Sequence, residues 1–391
     1  MVKILDSTLR EGEQTPGVCF DVHVKVAIAD LLDEVGVDII EAGHPVVTEE
    51  ISEGVRQLAA RGLRAVVGAH ARSLAQDVDL AVSCGAGFVG IFYCVSDERL
   101  ADRGTPLARV VNDVTRVIRR AKERRPDLLV RYTPEDTVRS PFANVLTVAT
   151  EAVAAGADII SVADTTGCMI PGTANNMYDY VRRLRDELAR RELFPAIAVH
   201  CHNDRGLALA NALDGYCGGA DIIDASVLGL GERAGIVDLA TLMAVLAHDF
   251  GEGERWNLAR LPELYRLVSR FSGVAISPTF PVTGANAFTH CAGVHTQAAL
   301  RNPRHYQSLS PAVVGRTSEI ALDHMSGMAA LRHALAALGE DVTDALARAV
   351  LAKVKRVGQS GRTVDNEELA FIVRSLRETD SDVRAAAGGE Q

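Results

Sequence analysis

An α/β fold in which eight parallel strands close into a barrel is predicted by two features of the sequence. Short β-branched runs alternate with longer amphipathic segments, and eight such pairs precede residue 250. The strand segments are apolar on both faces, which is typical of a parallel sheet covered by helices. A (β/α)8, or TIM, barrel takes about 250 residues as one domain, so this region has the required length.

The elements follow one another at the spacing that such a barrel needs. The predicted strands are 2–9, 37–42, 65–69, 88–95, 128–132, 159–163, 196–202 and 222–228. The clearest predicted helices between them are 22–35, 107–124, 143–155 and 175–191. A doubly wound open sheet is the alternative, but the turn after the first strand reads DSTLREGEQ and lacks the Gly-rich turn of that fold.

After residue 250 the alternating pattern stops. A helix is predicted over 261–271, followed by a Pro- and Gly-punctuated stretch, and helical periodicity returns at 328–338, 342–357 and 366–376. The predicted domains are a catalytic barrel at 1–255, a linker and subdomain at 256–325, a small helical subdomain at 326–380 and a disordered tail at 381–391.

Composition excludes several classes of partner. The formal net charge is −10 and no Lys/Arg block stands clear of acidic residues, which argues against binding to nucleic acid or to an anionic membrane. We find no leader pattern and no apolar run near the roughly 18 residues of a membrane span. Seven scattered cysteines without a C-x-x-C pair fit a reduced, cytoplasmic location.

Two histidines at the end of strand seven are candidate metal ligands. His200 and His202 are two residues apart, so in a strand their imidazoles project to the same side. Strands one and seven lie two places apart in a closed eight-stranded ring, so Glu11 after strand one can complete a two-histidine, one-carboxylate set. The alternatives are histidines bonded to carbonyls or water, and a glutamate in a solvated loop.

Other strands also end in polar residues, where a barrel builds its active site. Glu41 ends strand two and needs either a cation such as Arg10 or hydrogen bonds around the metal, because an uncompensated buried carboxylate is costly. On strand five, alternation places Arg131, Thr133 and Glu135 on one face. Each set therefore offers charged or hydroxyl groups to the barrel mouth, although a structural ion pair explains Glu41 equally well.

A Gly-rich turn follows strand eight and reads GLGERAG. Such a turn before a helix exposes backbone N–H groups that can hold an anion or let a thioester approach closely. The residues assigned to this acyl-CoA loop are Gly229, Gly231, Glu232 and Gly235.

Seven motifs occur in order between residues 6 and 295, about three quarters of the chain. They read DSTLREGEQTPG, IEAG, VRYTPEDTVRS, ADTTG, HCHND, GLGERAGI and NAFTHCAGVH. Together they resemble the homocitrate synthase, isopropylmalate synthase and citramalate synthase family, with hydroxymethylglutaryl-CoA lyase a more distant relative. The resemblance implies a TIM barrel that joins an acyl-CoA to a 2-oxo acid.

The resemblance also implies roles for individual residues. One divalent metal per subunit, of the Mn, Mg, Zn or Co type, would be held by Glu11, His200 and His202. Arg10 would polarise the ketone of the oxo acid. Substrate-binding and supporting roles fall on Gln14, Glu41, His70, Arg131, Thr133 and Thr165.

Proton transfer from acetyl-CoA is implied for Glu135 and His295. In the family that histidine comes from the partner subunit, so the resemblance implies a homodimer with exchanged C-terminal segments. Relatives carry a tyrosine after a Gly-Arg pair where this chain has Thr317 and Ser318, and Tyr306 is the candidate replacement. The family's histidine after strand three has its nearest counterpart in His70, at a shifted position.

The expected reaction is a metal-dependent Claisen condensation of acetyl-CoA with an oxo acid that carries a second anionic group. An arginine fork suits such a group, so Arg131 favours 2-oxoglutarate, with homocitrate and CoA as products. The alternatives are a phosphonopyruvate- or phosphinopyruvate-using synthase of the phosphonomethylmalate type, an isopropylmalate or citramalate synthase, a hydroxyacyl-CoA lyase, and a non-catalytic binding barrel.

Overall fold

The computed structural model describes residues 1–388 and the side chains as far as residue 379. Within it the chain forms two compact units, Met1–Ile276 and a second that begins at Ser277.

The first unit is a closed barrel of eight parallel strands, which confirms the predicted fold. The strands are β1 (Lys3–Asp6), β2 (Ile39–Glu41), β3 (Val66–Arg72), β4 (Phe88–Cys94), β5 (Leu129–Glu135), β6 (Ile159–Asp164), β7 (Ala196–Cys201) and β8 (Ile222–Ala225). Each strand pairs with its neighbour in sequence, and β1 also pairs with β8, with Lys3 opposite Ile222. The alternation read from the sequence therefore corresponds directly to the order of strands.

Helices cover the outside of the barrel. They are α1 (Val22–Val35), α2 (Glu49–Ala59), α3 (Ala75–Ser83), α4 (Asp97–Asp102), α5 (Leu107–Arg124), α6 (Phe142–Ala154), α7 (Met177–Ala189), α8 (Ala208–Cys217), α9 (Leu239–Asp249) and α10 (Leu261–Ser272). Side-chain caps fix several of their starts, as where Asp21 accepts a hydrogen bond from the Val24 N–H at 2.8 Å.

The barrel unit extends to Ile276, beyond the boundary predicted at residue 255. The Asn257 N–H donates to the Val35 carbonyl at 2.9 Å, and the Tyr265 hydroxyl donates to Asp238 at 2.6 Å. These bonds attach α10 and the turn before it to the barrel helices. The sequence pattern missed this because α10 follows no strand.

Apolar side chains fill the amino-terminal end of the barrel interior. They form one buried cluster, namely Leu5, Ile39, Phe88, Ile159, Ala198 and Ile222. Because alternate residues of a strand face the same side, positions two and four residues further along also face inward. Polar residues at those positions therefore point into the carboxyl-terminal half of the barrel.

The second unit is mainly helical. It contains β9 (Thr289–His290), β10 (Glu319–Ile320), α11 (Gly293–Arg301), α12 (Met328–Ala337), α13 (Asp344–Gly358) and α14 (Asn366–Gly388). The three helices predicted here from periodicity are present, and their apolar faces enclose a core that includes Leu331, Val350 and Leu369. The last helix continues to Gly388, into the 381–391 segment predicted as a disordered tail, whose residues 389–391 lie outside the described part of the chain.

None of the helices in the described residues combines the length and the apolar character needed to cross a membrane.

Candidate active site

A cavity of about 200 Å³ opens at the carboxyl-terminal ends of the barrel strands. Eleven of the residues singled out in the sequence line it, namely Arg10, Glu11, Gln14, His70, Arg131, Thr133, Glu135, Thr165, His200, His202 and Glu232. The chain therefore brings residues from distant sequence positions to one locus, at the end of the barrel where such enzymes place their active sites.

Glu11, His200 and His202 are arranged as ligands of a single ion. Each offers a ligand atom within 4.8 Å of the others, and all three residues are buried. The Nε2 atoms of the two histidines lie 3.3 Å apart. Two imidazole nitrogens and one carboxylate form a donor set suited to several divalent metals.

The surroundings of the two imidazoles fit an ion at this position. His200 Nδ1 lies 3.0 Å from Asp224 Oδ2, so donation of its N–H to that carboxylate leaves the Nε2 lone pair directed at His202. Burial lowers the pKa of His202 to about 4, assisted by His200. Burial opposes ionisation of Glu11, but Arg10 and the two histidines lower its pKa to about 2. At neutral pH both groups are therefore in the protonation state that binds metal.

Arg10 stands beside this set and is held by two carboxylates. Its Nε donates to Glu41 Oε2 at 2.6 Å, and its guanidinium also contacts Glu11. The sequence predicted a cationic partner for Glu41, and Arg10 is that partner. Arg10, His70 and Arg131 together hold the pKa of the fully buried Glu41 well below its usual range, in spite of the desolvation that would raise it.

Arg131 is buried at the base of the cavity, and two carboxylates already occupy part of its guanidinium. Its NH1 donates to both oxygens of Asp224, at 2.9 and 2.8 Å, and its NH2 lies 3.4 Å from Glu41 Oε1. Arg131 Nε and Ser161 Oγ are buried without a hydrogen-bond partner among the described residues. Unpaired buried donors are costly, so these two atoms mark where a polar ligand would be favoured.

Gly90 makes room for these polar atoms. A methyl group on Gly90 would lie 3.2 Å from Glu41 Oε1, 3.3 Å from His70 Nδ1 and 3.5 Å from Arg131 Nε. The three side chains therefore converge over a strand position that carries no side chain of its own.

The ends of β5 and β6 contribute a further part of the cavity lining. Glu135 forms an ion pair with Arg99 of α4, and Thr133 lines the cavity on the same face of β5. Thr165 Oγ1 accepts a hydrogen bond from the Asp136 N–H at 3.0 Å. That bond fixes the rotamer of Thr165 relative to the end of β5.

The Gly-rich turn after β8 lies against the candidate metal ligands. The Glu232 N–H donates to Glu11 Oε1 at 3.3 Å, and the Gly231 N–H donates to Thr15 Oγ1 at 2.9 Å. The backbone at Gly235 has φ of +77°, and a Cβ there would lie 1.8 Å from the Gly229 carbonyl oxygen. Glycine is therefore required at position 235 both for conformation and for space.

His295 lies on α11 of the second unit. Its ring contacts that of Tyr306 with centroids 4.4 Å apart, and Tyr306 is 46% exposed. Ser318 Oγ accepts a hydrogen bond from Gln307 Nε2 at 2.6 Å. Of the residues considered from sequence, Tyr306 is thus the aromatic hydroxyl next to His295, and Ser318 is engaged elsewhere.

Several residues of the cavity escaped the sequence analysis. They are His44, Phe92, Ser161, Asp224 and Arg233, with Arg99 beside them. Asp224 could have been found, because an acid inside the apolar run IIDA gives the same signal as Glu41. His44 stands in the loop after β2, where no periodicity indicates the direction of a side chain.

A larger cavity, of about 760 Å³, opens among residues at the opposite ends of the strands, including Lys3, Arg64 and Phe194. Its charged groups largely pair with one another, as Arg185 does with Asp221 and Arg255 with Asp38. The chemistry therefore favours the smaller cavity at the carboxyl-terminal ends as the active site.

Two protein-family models match this chain, one within each of its two compact units. A model of the HMGL-like family matches residues 1–268, and a model described as homocitrate synthase post-HMGL domain-like matches residues 282–362. The chain belongs to the HMGL-like family. Within that family it falls with the homocitrate synthases, because the second model covers its C-terminal part.

Relatives in the HMGL-like family cover most of the chain. A homocitrate synthase of Pyrococcus horikoshii is 43% identical over 337 residues, which are 86% of this chain and 90% of the relative. A homocitrate synthase of Saccharolobus islandicus is 39% identical over 359 residues, or 90% of this chain and 76% of the relative.

Solved structures of two lyases show the same fold. The hydroxymethylglutaryl-CoA lyase of Pseudomonas aeruginosa has a TM-score of 0.57 and 23% identity, over 73% of this chain and 95% of that one. The HMG-CoA lyase of Brucella melitensis has a TM-score of 0.56 and 23% identity, over 70% of this chain and 99% of that one. At these identities the likeness concerns the barrel alone.

Proposed function

We propose that this enzyme, an acetyl-CoA condensing transferase of the HMGL-like family, joins acetyl-CoA to 2-oxoglutarate and releases homocitrate and coenzyme A. One observation carries the proposal for the second substrate. The cavity is lined both by the Glu-His-His set and by a buried arginine, Arg131, whose Nε lacks a partner among the described residues. A 2-oxo acid with a second carboxylate offers an anionic group to each.

Glu11, His200 and His202 would hold the divalent metal that this chemistry requires. When bound it supplies a Lewis acid for the ketone of the oxo acid. The carboxylate of Asp224 orients His200, and the Gln14 amide lies 2.9 Å from both Glu11 oxygens when its nitrogen faces them. Both contacts fix ligand geometry from outside the donor set.

Three side chains of the cavity are assigned to the condensation step. We assign Arg10 to the oxygen of the ketone, where its charge stabilises the alkoxide that forms as the new carbon–carbon bond closes. Thr165 is assigned to the 1-carboxylate of the oxo acid. The methyl proton of acetyl-CoA passes to a base, so that its carbon attacks C2 of the oxo acid. Glu135, paired with Arg99, is the candidate for that proton transfer within the barrel.

Hydrolysis completes the reaction. Water adds its oxygen to the thioester carbonyl, the carbon–sulfur bond breaks, and coenzyme A leaves with a proton. The backbone N–H groups of the turn containing Gly231 and Gly235 are the candidates for the acyl-CoA site, because they lie beside Glu11.

We further propose a homodimer in which His295 of each C-terminal segment acts on the partner's acyl-CoA. His295 is exposed on α11 and contacts Tyr306, which supplies a hydroxyl beside the imidazole. Mixing an inactive Glu11→Gln variant with an inactive His295→Ala variant tests this exchange. Refolded mixtures should regain up to a quarter of wild-type activity, whereas no recovery would contradict exchange.

The seven free cysteines agree with a reduced, cytoplasmic location.

A panel of 2-oxo acids with acetyl-CoA and several divalent metals tests the reaction, with release of the CoA thiol as the readout. We expect 2-oxoglutarate to give the highest kcat/KM, above phosphonopyruvate, pyruvate and 2-oxoisovalerate. Thiol release only from preformed hydroxyacyl-CoA would instead identify a lyase. Metal content should fall in His200→Ala and His202→Ala, and equal content in all three proteins would contradict the assigned ligands.

A further inference from the structure

We propose that His44 is a specificity-determining residue, which binds the distal carboxylate of the oxo acid as an imidazolium anchored by Asp77. This rests on the proposed function, because it assumes a substrate with two anionic groups. His44 would be a second cation for the distal carboxylate, whose recognition the sequence assigns to Arg131 alone.

His44 lines the same cavity as the candidate metal ligands. It follows β2, and its ring meets that of His70 on β3 edge to face at 5.8 Å. His70 in turn stacks on Phe92 of β4 at 4.8 Å. The metal set comes from β7 and the loop after β1, and β3 and β4 lie across the ring from it. An oxo acid that binds at this set and extends towards β3 and β4 would meet the rings of His70 and Phe92, beside His44.

Arg131 brings little net positive charge to this wall. Asp224 and Glu41 both pair with its guanidinium, and all three groups are buried. A second carboxylate placed beside Arg131 alone would therefore meet two existing negative charges at close range. Arg10 adds no surplus positive charge, because it pairs with both Glu41 and Glu11. A further cation that faces the cavity would therefore favour binding of a dianion.

His44 can be that cation because its partner is already neutralised. His44 Nε2 lies 3.2 Å from Asp77 Oδ2, and Asp77 is buried. Asp77 also accepts from Arg72, with Nε at 2.7 Å and NH2 at 3.0 Å. Asp77 and Arg72 thus form a neutral pair, and a proton on His44 adds a full charge to the cavity.

The second nitrogen of His44 is available to a ligand. Nδ1 forms no hydrogen bond with the described residues, and the side chain is 19% exposed. Donation from both nitrogens, to Asp77 and to the substrate, requires the doubly protonated ring. Substrate binding should therefore take up a proton.

The electrostatic surroundings agree with proton uptake on binding. Burial lowers the pKa of His44, Arg72 and Arg10 act in the same direction, and Asp77 opposes them. The ring of His70 on β3 also faces His44. An added carboxylate would raise the pKa of His44, because an opposite charge favours the protonated form.

The test compares 2-oxoglutarate with 2-oxovalerate, which has the same chain length and no distal carboxylate. We expect His44→Ala to raise KM for 2-oxoglutarate about 10- to 100-fold, the range of a hydrogen bond to a charged group. With 2-oxovalerate as substrate, neither kcat nor KM of His44→Ala should change more than about threefold. His44→Gln, which donates without a charge, should recover part of the loss. Thermal melting of each variant checks that it folds.

Calorimetry of 2-oxoglutarate binding in two buffers of different ionisation enthalpy measures proton uptake directly. The metal-loaded wild type should take up close to one proton at pH 7.5, and His44→Gln should take up none. Equal KM changes for both substrates, or unchanged proton uptake in His44→Gln, would overturn the proposal. Failure of the wild type to turn over 2-oxoglutarate would instead contradict the proposed function.

Discussion

Asp224 accepts a hydrogen bond from His200, with Oδ2 3.0 Å from Nδ1, and the same carboxylate binds Arg131. One side chain on β8 thus connects a candidate metal ligand to Arg131. Its charge fixes the tautomer of His200 and offsets part of the charge of Arg131.

Asp224→Asn should therefore weaken metal binding about 10- to 100-fold, as loss of a partner outside the donor set typically does. Competition with a chromophoric chelator measures the affinity. Asp79→Asn, at an exposed ion pair with Arg120, is the matched control and should retain wild-type affinity. An unchanged affinity in Asp224→Asn would show that His200 needs no such partner.

The buried carboxyl group of Asp6 should make the stability of the fold depend on pH. Burial raises the pKa of Asp6 from 3.8 to about 7, with the nearby Glu41 adding to the effect and hydrogen bonds from Thr8 opposing it. The folded state therefore holds a proton that the unfolded state releases above pH 4. The stability from this group is complete below pH 3.8 and is lost as pH rises towards 7.

Asp6→Asn removes that titration. The free energy of unfolding of the variant, relative to wild type, should rise by roughly 2 to 4 kcal/mol between pH 4.5 and 7.5. Urea denaturation at several pH values measures this difference. A difference that stays constant over that range would mean that Asp6 is ionised throughout.

Lys25 connects the first two loops of the barrel mouth from a position that is 1% exposed. Its ammonium donates to the carbonyls of Leu9 and Ala42, at 3.0 and 3.1 Å, and to Glu13 Oε2 at 2.6 Å. Leu9 precedes Arg10, and Ala42 follows Glu41. The position of the Arg10–Glu41 pair therefore depends on Lys25.

Lys25→Met should destabilise the fold by about 3 to 5 kcal/mol, because Glu13 loses its cationic partner and keeps only the hydrogen bond from the Phe20 N–H. The double variant Lys25→Met, Glu13→Gln should recover part of that loss, which a double-mutant cycle by urea denaturation would quantify. Additive effects of the two changes would indicate that the charges do not interact.

The turn after β8 should not tolerate a side chain at Gly235. Gly235→Ala places a methyl group against the Gly229 carbonyl oxygen, and it adds the strain of a positive φ. Gly172→Ala is the control, since Gly172 also has φ of +77° but has no atom near the added methyl. The control should lose about 1 to 2 kcal/mol. Gly235→Ala should lose more and should also bind CoA at least tenfold less tightly.

Local patterns predicted the barrel well, because strand and helix periodicity depend on neighbouring residues. The same patterns placed Glu11, His200 and His202 at one mouth, since alternation and strand order determine where they project. The partners of Arg131 could not be predicted. Asp224 and Glu41 lie 93 and 90 residues away in sequence, and only the closed ring brings them together.

The loops account for what the sequence did not reveal. His44 has no periodic neighbour to indicate its direction, and its role depends on Asp77, which reaches it from α3. The extension of the barrel unit to Ile276 was missed for a related reason, because α10 packs against the barrel although no strand directly precedes it.

The pairing of β1 with β8 joins the two ends of the barrel sequence, and this seam forms only when the ring is complete. Glu11 follows β1, on one side of that seam, and His200 and His202 belong to the end of β7, beyond β8 on the other side, so an ion held by these three residues would link the two sides. Contacts between such distant segments form late in folding, since loop closure precedes them. Metal should therefore slow unfolding of the barrel severalfold and leave its refolding rate nearly unchanged.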